Sequence, residues 1–232
     1  MKLTPRLQTI ADSVPKGFTV ADIGTDHGYL PVYLVEKEIS PYVIAGDVNE
    51  KPLEKARELV HSLNLKGKIR VRLGDGFTVI GEEERVDLII IAGMGGKTIC
   101  RILEQRPAVT AGIKRLILQP MVDIPLVRRW LLENRFNITD EKLAREGKHF
   151  YEIIIAEPGA GEQLDDVQLE LGPRLLEKKY LDPLFKPFLE RKMKKYQVVL
   201  ENLKRSRQEI DPQKYNYWVK LVDRIQEELK CR

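Results

Sequence analysis

Apolar and polar positions follow two rhythms along the first two thirds of the chain. Short, nearly unbroken apolar runs occur at Phe18–Ile23, Tyr42–Asp47, Ile69–Leu73, Val86–Ala92 and Arg115–Gln119. Such runs are expected of strands buried on both faces of a parallel sheet. Between them lie stretches with helical spacing, at Pro31–Glu38, Lys51–Leu63, Lys97–Leu103 and Ile124–Asn134. In the second of these, Leu53, Ala56, Leu59, Val60 and Leu63 fall on one helix face. Two more strand candidates, Phe136–Leu143 and Tyr151–Glu157, follow with no helix between them. The alternation predicts a doubly wound α/β sheet, and the closing pair predicts an antiparallel strand at one edge.

Pro158-Gly159-Ala160-Gly161 punctuates the end of this pattern. Beyond it Leu189, Met193, Tyr196, Leu200 and Leu203 step by four and three, which is the spacing of a coiled-coil seam. Asp211-Pro212 interrupts the run, and Trp218, Val222, Ile225 and Leu229 resume it. An antiparallel helical hairpin with its own core is the simplest structure for this part. The predicted organisation is an α/β domain over 1–159 and a basic helical hairpin or coiled-coil domain over 160–232.

Composition narrows the class without naming a chemistry. The 232 residues are 43% hydrophobic and 32% charged, an ordinary balance for a soluble protein. The stretch from Met1 to Arg6 has no long apolar core and no small-residue cleavage site, so we read no signal peptide. No apolar run approaches bilayer length, which predicts no membrane association. Cys100 and Cys231 are far apart and form no metal or redox motif. A cytoplasmic location is expected, and nothing in the sequence calls for a metal or an obligate protein partner.

Charge is unevenly placed. Residues 1–159 hold 23 Lys+Arg against 22 Asp+Glu, whereas 174–207 holds 11 against 4, a local net of +7. A polyanionic partner suits that excess, as does a plainly solvated helix face.

The sharpest motif runs from Asp22 to Pro31, directly after the first predicted strand. Gly24 and Gly28 permit a tight turn and close approach to a ligand. A dinucleotide site would carry a third glycine in the middle of this turn, with pyrophosphate at the following helix end. Asp26 stands in this loop instead. A carboxylate there repels pyrophosphate but suits a cationic ligand carrying a sulfonium and an α-amino group, and so points to S-adenosylmethionine over NAD. Thr25 and His27 complete the loop. Asp47 ends the second strand, 25 residues after Asp22, where an acid accepts from ribose hydroxyls. Gly74-Asp75-Gly76-Phe77 follows the third strand, with Asp75 a candidate acceptor for an adenine amino group. Ala92-Gly93-Met94-Gly95-Gly96 ends the fourth. All four loops fall at carboxyl ends of consecutive strands, where open α/β sheets bind ligands.

On Asp22–Pro31, Gly93-Met94-Gly95-Gly96 and Gln119-Pro120-Met121, the chain resembles the bacterial tRNA (adenine(22)-N(1))-methyltransferases of the TrmK family. The resemblance implies a class I, Rossmann-like methyltransferase fold of seven strands with an α-helical coiled-coil C-terminal domain. It implies S-adenosyl-L-methionine as donor, S-adenosylhomocysteine as product and tRNA as acceptor. Carried over by position, Gly24, Asp26, Gly28, Asp47, Asp75 and Gly93 to Gly96 would line the cofactor; Asp22, Thr25, His27 and Gly76 belong to the same loops. The amino-directed signature Asp/Asn-Pro-Pro-Tyr is replaced here by Gly-Met-Gly-Gly, which favours a ring nitrogen.

N1 of neutral adenine has an in-plane lone pair and no proton to lose, so positioning and electrostatics outweigh a strong base. Tyr29 is the candidate to stack on the target base, and Asp26 the candidate to orient its amino group or the methionine moiety. Packing at the first helix is an equal reading of Tyr29, and helix capping one of Asp26. Arg6 is a candidate RNA contact from the N-terminal segment. Lys192, Lys194, Lys195, Lys204 and Arg205 are the candidate contacts in the basic tail. Two other readings stand beside this one, a methyltransferase of small metabolites and a non-catalytic RNA-binding module that retains the pocket.

Overall fold

The structure is a computed structural model that describes residues 1–205 and 211–230. β1 (Val20–Ile23), β2 (Val43–Asp47), β3 (Ile69–Leu73), β4 (Leu88–Gly95) and β5 (Arg115–Val122) pair in parallel. Every residue of β1 is buried, and Leu88, Ile89, Ile90 and Ile91 of β4 have no exposed surface. β-Branched side chains on both faces of these short strands explain why the sequence shows runs rather than alternation.

β6 (Phe136–Glu146) and β7 (His149–Pro158) form a hairpin, and the seven-stranded order is β3-β2-β1-β4-β5-β7-β6. Gly147, at φ 58°, opens the two-residue turn between them. β7 is antiparallel to both β5 and β6. The antiparallel strand therefore lies one place in from the edge, not at the edge as expected. Ile153, Ile154, Ile155 and Ala156 are all buried, which suits an interior position. β6 alternates more and takes the rim.

α1 (Pro5–Ala11) was not anticipated. Thr4 caps it by accepting from the Leu7 amide, and Pro5 opens its first turn. Its Ile10 and Ala11 enter one core cluster with Ala144, Ile153 and Ile155. The expected helices appear as α2 (Tyr29–Glu36), α3 (Glu50–Ser62), α4 (Gly96–Glu104) and, after the short α5 (Pro107–Gly112), α6 (Ile124–Glu133). Arg128 of α6 is wholly buried; its Nε donates to Glu141 at 2.7 Å and its Nη2 to Glu152 at 2.7 Å. Burial alone would lower the Arg128 pKa, but the two carboxylates hold it charged. The cluster ties α6 to β6 and β7.

The chain divides into two units, Met1–Gln163 and Leu164–Arg232. The break falls four residues beyond Gly159 because Gly161 still packs on Leu132 and Phe136. The second unit contains α7 (Asp166–Leu171), α8 (Pro173–Glu177), α9 (Phe185–Arg205) and α10 (Pro212–Lys230). Asp165 and Gln168 make a reciprocal capping box that starts α7. Tyr196 meets Trp218 at 5.1 Å between ring centres, while Phe185 and Leu189 share a pocket wall with Leu229. The two long helices thus run antiparallel. Leu189, Tyr196, Val222 and Ile225 of the expected seam are buried. Cys231 lies outside the described residues.

Candidate active site

The loops after β1, β2, β3 and β4 enclose a cleft of about 210 Å³, walled by Gly24, Asp47, Asp75, Gly76, Met94 and Arg101 among others. Four loops separated by tens of residues meet here because parallel strands present all their carboxyl ends on one side.

The first loop is fastened to β2, the amides of Gly24 and Thr25 both donating to the Gly46 carbonyl at 2.7 and 2.9 Å. Gly24 has φ 83°, and a Cβ on it would collide with the Met94 methyl; Gly28 has φ 72° and lies against Ala56. Side chains at these positions would be strained and would fill the cradle. Beneath the loop Asp22 is 5% exposed. Burial pushes its carboxyl up to about 6, with Thr25 and Arg6 pulling it back. The Thr25 hydroxyl is itself buried and makes no hydrogen bond of regular geometry. A glycine cradle over a poorly compensated acid and an unsatisfied hydroxyl fits a ligand that brings its own cation and donors.

Asp26 does not cap α2, whose N-cap is Gly28. Its exposed carboxylate bonds to His27 Nδ1. His27 Nε2 lies 2.9 Å from Lys55 Nζ. An ammonium only donates, which assigns the imidazole proton to Nδ1, facing Asp26. The Tyr29 ring, 45% exposed, stacks on His27 at 5.7 Å and 9°. Asp26, His27 and Tyr29 thus form one exposed constellation that does not line the cleft.

Asp47 Oδ1 accepts from the Asn49 amide at 2.7 Å and from Asn49 Nδ2 at 3.1 Å. Asp75 is gripped by Arg101 through both oxygens, at 2.9 and 3.1 Å, and the guanidinium holds its carboxyl below the usual range. Gly76 is buried against Gln105.

The glycines expected as a fourth loop fall in the irregular carboxyl end of β4 and the first residue of α4, and they divide their labour. Met94 lines the cleft. Gly93 donates its amide to Gln119 Oε1 at 3.1 Å, and Arg6 Nη1 donates to the same oxygen at 2.9 Å. Arg6 therefore reaches this loop, with its guanidinium also over the Tyr151 ring. Gly95 faces Val122. Gly96 opens α4, and a Cβ there would lie 2.4 Å from the Asp123 carbonyl oxygen, so close packing requires glycine at this position.

Arg101, Thr98 and Lys55 were missed by sequence reasoning, and Gln119 was noted without a role. Arg101 and Thr98 sit on one face of α4 and line the cleft, but the partner of Arg101 lies on the loop after β3 and left no local signal. Cys100 is buried, and burial pushes its thiol up to about 11, so it is no nucleophile. Among the described residues no cluster of potential metal ligands occurs.

In the second unit Lys194, Lys195, Lys204 and Arg205 are exposed. Lys192 is a correction: its side chain is 12% exposed, donates to the Glu170 carbonyl and lies over the Phe188 ring. It braces the unit internally. No helix among the described residues is long and apolar enough to cross a membrane.

Comparison with known proteins bears on this geometry. The chain is 40% identical over 173 residues to the tRNA (adenine(22)-N(1))-methyltransferase of Bacillus subtilis, covering 74% of this chain and 72% of that one. The Streptococcus pneumoniae protein Sp1610, in complex with S-adenosyl-L-methionine, superposes with a TM-score of 0.86 at 35% identity, covering 98% of this chain and 100% of that one. Mycoplasma capricolum TrmK, in complex with S-adenosyl-homocysteine, gives 0.81 at 26%, with 99% and 98% covered. The model of the family described as tRNA (adenine(22)-N(1))-methyltransferase matches residues 20–227, which takes in both units, and the chain belongs to that family.

Proposed function

We propose that this protein transfers a methyl group from S-adenosyl-L-methionine to N1 of adenine 22 in tRNA, in the cytoplasm. The observation that carries this reading is the cleft formed by the loops of β1 to β4, with an acid at each of two strand ends and a glycine cradle over buried Asp22. The donor supplies an electrophilic methyl on a cationic sulfur.

The residues divide the remaining work. Asp47 is placed to accept from ribose hydroxyls and Asp75 from an adenine amino group. Asp22 and Thr25 lie beneath the first loop, where an α-amino group would compensate the buried charge. Gln119, pinned by Arg6, holds the Gly93 amide and so fixes the loop nearest the reacting groups. Adenine N1 sits on the pairing edge, so the base must leave its stack to react. Tyr29 offers an exposed ring for it to stack on, and Asp26 offers a carboxylate to its amino group as positive charge moves onto the base. No residue need act as a strong base, because the attacking nitrogen carries no proton. Lys194, Lys195, Lys204 and Arg205 supply phosphate contacts in this reading.

The test is incubation with unmodified tRNA and labelled donor, then mass-spectrometric mapping of the product nucleoside. Methyl label in 1-methyladenosine at position 22 is the expected result. Label on an exocyclic amine, or on no tRNA nucleoside, overturns the reading.

A further inference from the structure

Asp75 stands on the loop after β3 and Arg101 on α4, and the bond between them is bidentate. Their side chains are 48% and 57% exposed. An ion pair this exposed contributes little to folding. Its geometry is nonetheless specific, because a guanidinium fork fixes the plane of the carboxylate it grips.

The pair is also part of a larger grip. Thr98, Arg101, Ile102 and Gln105 recur at helical spacing and turn one face of α4, with its C-cap, toward the loop after β3. Gln105 Oε1 accepts from the Phe77 amide at 2.8 Å, and Arg106 Nη1 donates to the Ile80 carbonyl at 2.7 Å. α4 and the two residues that follow it thus hold the Asp75 loop at three points. Two of them fix backbone; the third fixes the Asp75 carboxylate.

We propose that Arg101 sets the base specificity of the cofactor site, by holding the Asp75 carboxylate in one orientation so that the cleft takes a 6-aminopurine and rejects a 6-oxopurine. This rests on the donor reading above. An ionised carboxylate only accepts hydrogen bonds, and has roughly four acceptor positions, of which the guanidinium takes two. The remainder suit an exocyclic amine and repel a carbonyl oxygen. Without Arg101 the side chain is free to rotate, and its acceptor positions are no longer held toward the place of an exocyclic amine. Arg101 is therefore a positioning residue that acts through Asp75.

The experiment is isothermal titration of the full chain with S-adenosyl-L-homocysteine and with S-inosyl-L-homocysteine, in which a carbonyl replaces the 6-amino donor and N1 carries a proton. The wild type is expected to prefer the adenosyl ligand by at least about tenfold. Arg101→Met is expected to weaken the adenosyl ligand about tenfold and the inosyl ligand less than about threefold, with the melting temperature of the free protein nearly unchanged. Arg101→Lys should restore part of the preference, having the charge without the fork. Asp75→Asn should erase the preference, and adding Arg101→Met to it should change nothing further. A preference that survives Arg101→Met, or an equal loss for both ligands, overturns the role of Arg101 and leaves the donor reading standing. A wild type that binds both ligands equally overturns the specificity claim. A wild type that binds neither sinks the donor reading and this inference together.

Discussion

Replacing Asp22 by Asn tests the electrostatics of the cradle directly. The Asp22 carboxyl is buried and pushed up from 3.8 to about 6. A raised acid is most at home in the fold when protonated. Its contribution to stability is therefore full below about pH 4, lost as pH climbs to about 6, and constant above that. A shift of about two units at roughly 1.4 kcal/mol per unit makes the loss about 3 kcal/mol. Asn keeps the shape and cannot ionise, so it escapes this loss. The gap in unfolding free energy between the Asn variant and the wild type should widen in favour of Asn by about 3 kcal/mol between pH 4 and pH 7.5. In melting temperature that is a change of roughly 6–12 °C for a unit of this size. Taking the difference cancels Asp75, Glu84 and Asp87, whose lowered pKa values act in the opposite direction, gaining stability as pH rises. Thermal unfolding of both proteins at both pH values is the assay. A gap of equal size at the two pH values refutes the reasoning. Saturating S-adenosyl-L-homocysteine should narrow the gap at pH 7.5, since a ligand amino group would compensate the charge that Asn removes.

Three further outcomes are expected. Asp26→Ala should lower turnover on tRNA at least about tenfold with the melting temperature nearly unchanged, since its carboxylate is exposed and bonds chiefly to His27; single-turnover kinetics beside a melting curve decide it, and unchanged turnover removes Asp26 from the chemistry. Reversing Lys194, Lys195, Lys204 and Arg205 together should weaken tRNA binding and reduce its dependence on salt by up to about 0.9 in slope per lost phosphate contact, whereas Lys192→Glu should act mainly on stability; filter binding across a salt series separates the two. Arg128→Ala should destabilise the protein by about 3–5 kcal/mol in urea, because it removes the buried guanidinium that both Glu141 and Glu152 pair with; a loss below about 1 kcal/mol would show that the cluster relaxes or hydrates.

The parts of the fold legible in the sequence were those with a local cause. β3 and the start of β5 match the apolar runs, and α3 and α6 match their periodicity to within a residue or two. α1 went unread although Thr4-Pro5 is a helix-start signal, because seven residues offer too few periods to count. The sheet order after β5 was misplaced by one strand, since a hairpin announces that two strands are antiparallel without saying which of them joins the sheet. In the site, the glycine turn and the strand-end acids were visible because backbone geometry forces those residue types into those places. Gln119, Arg101 and Lys55 were not, because each acts on a partner 26 to 113 residues away and sequence spacing is blind to such meetings. The packing roles of Gly96 and Lys192 were hidden for a related reason: a glycine among other glycines and a lysine in a basic run look like their neighbours until packing distinguishes them.

The docking of α1 has a consequence for how the protein comes to be folded. Its Arg6 amide bonds to Glu146, 140 residues along the chain, and its apolar side packs with residues of β6 and β7. A seven-residue helix has little stability alone. On a ribosome working at roughly 5–20 residues per second, this segment waits on the order of ten to thirty seconds before the strands that seat it have been made. Until then Gln119 lacks its Arg6 contact, and the Gly93 loop lacks the anchor behind it. A helix made before the strands that seat it is thus among the last parts to settle, and the Gly93 turn gains its anchor only when distant segments of the α/β unit meet.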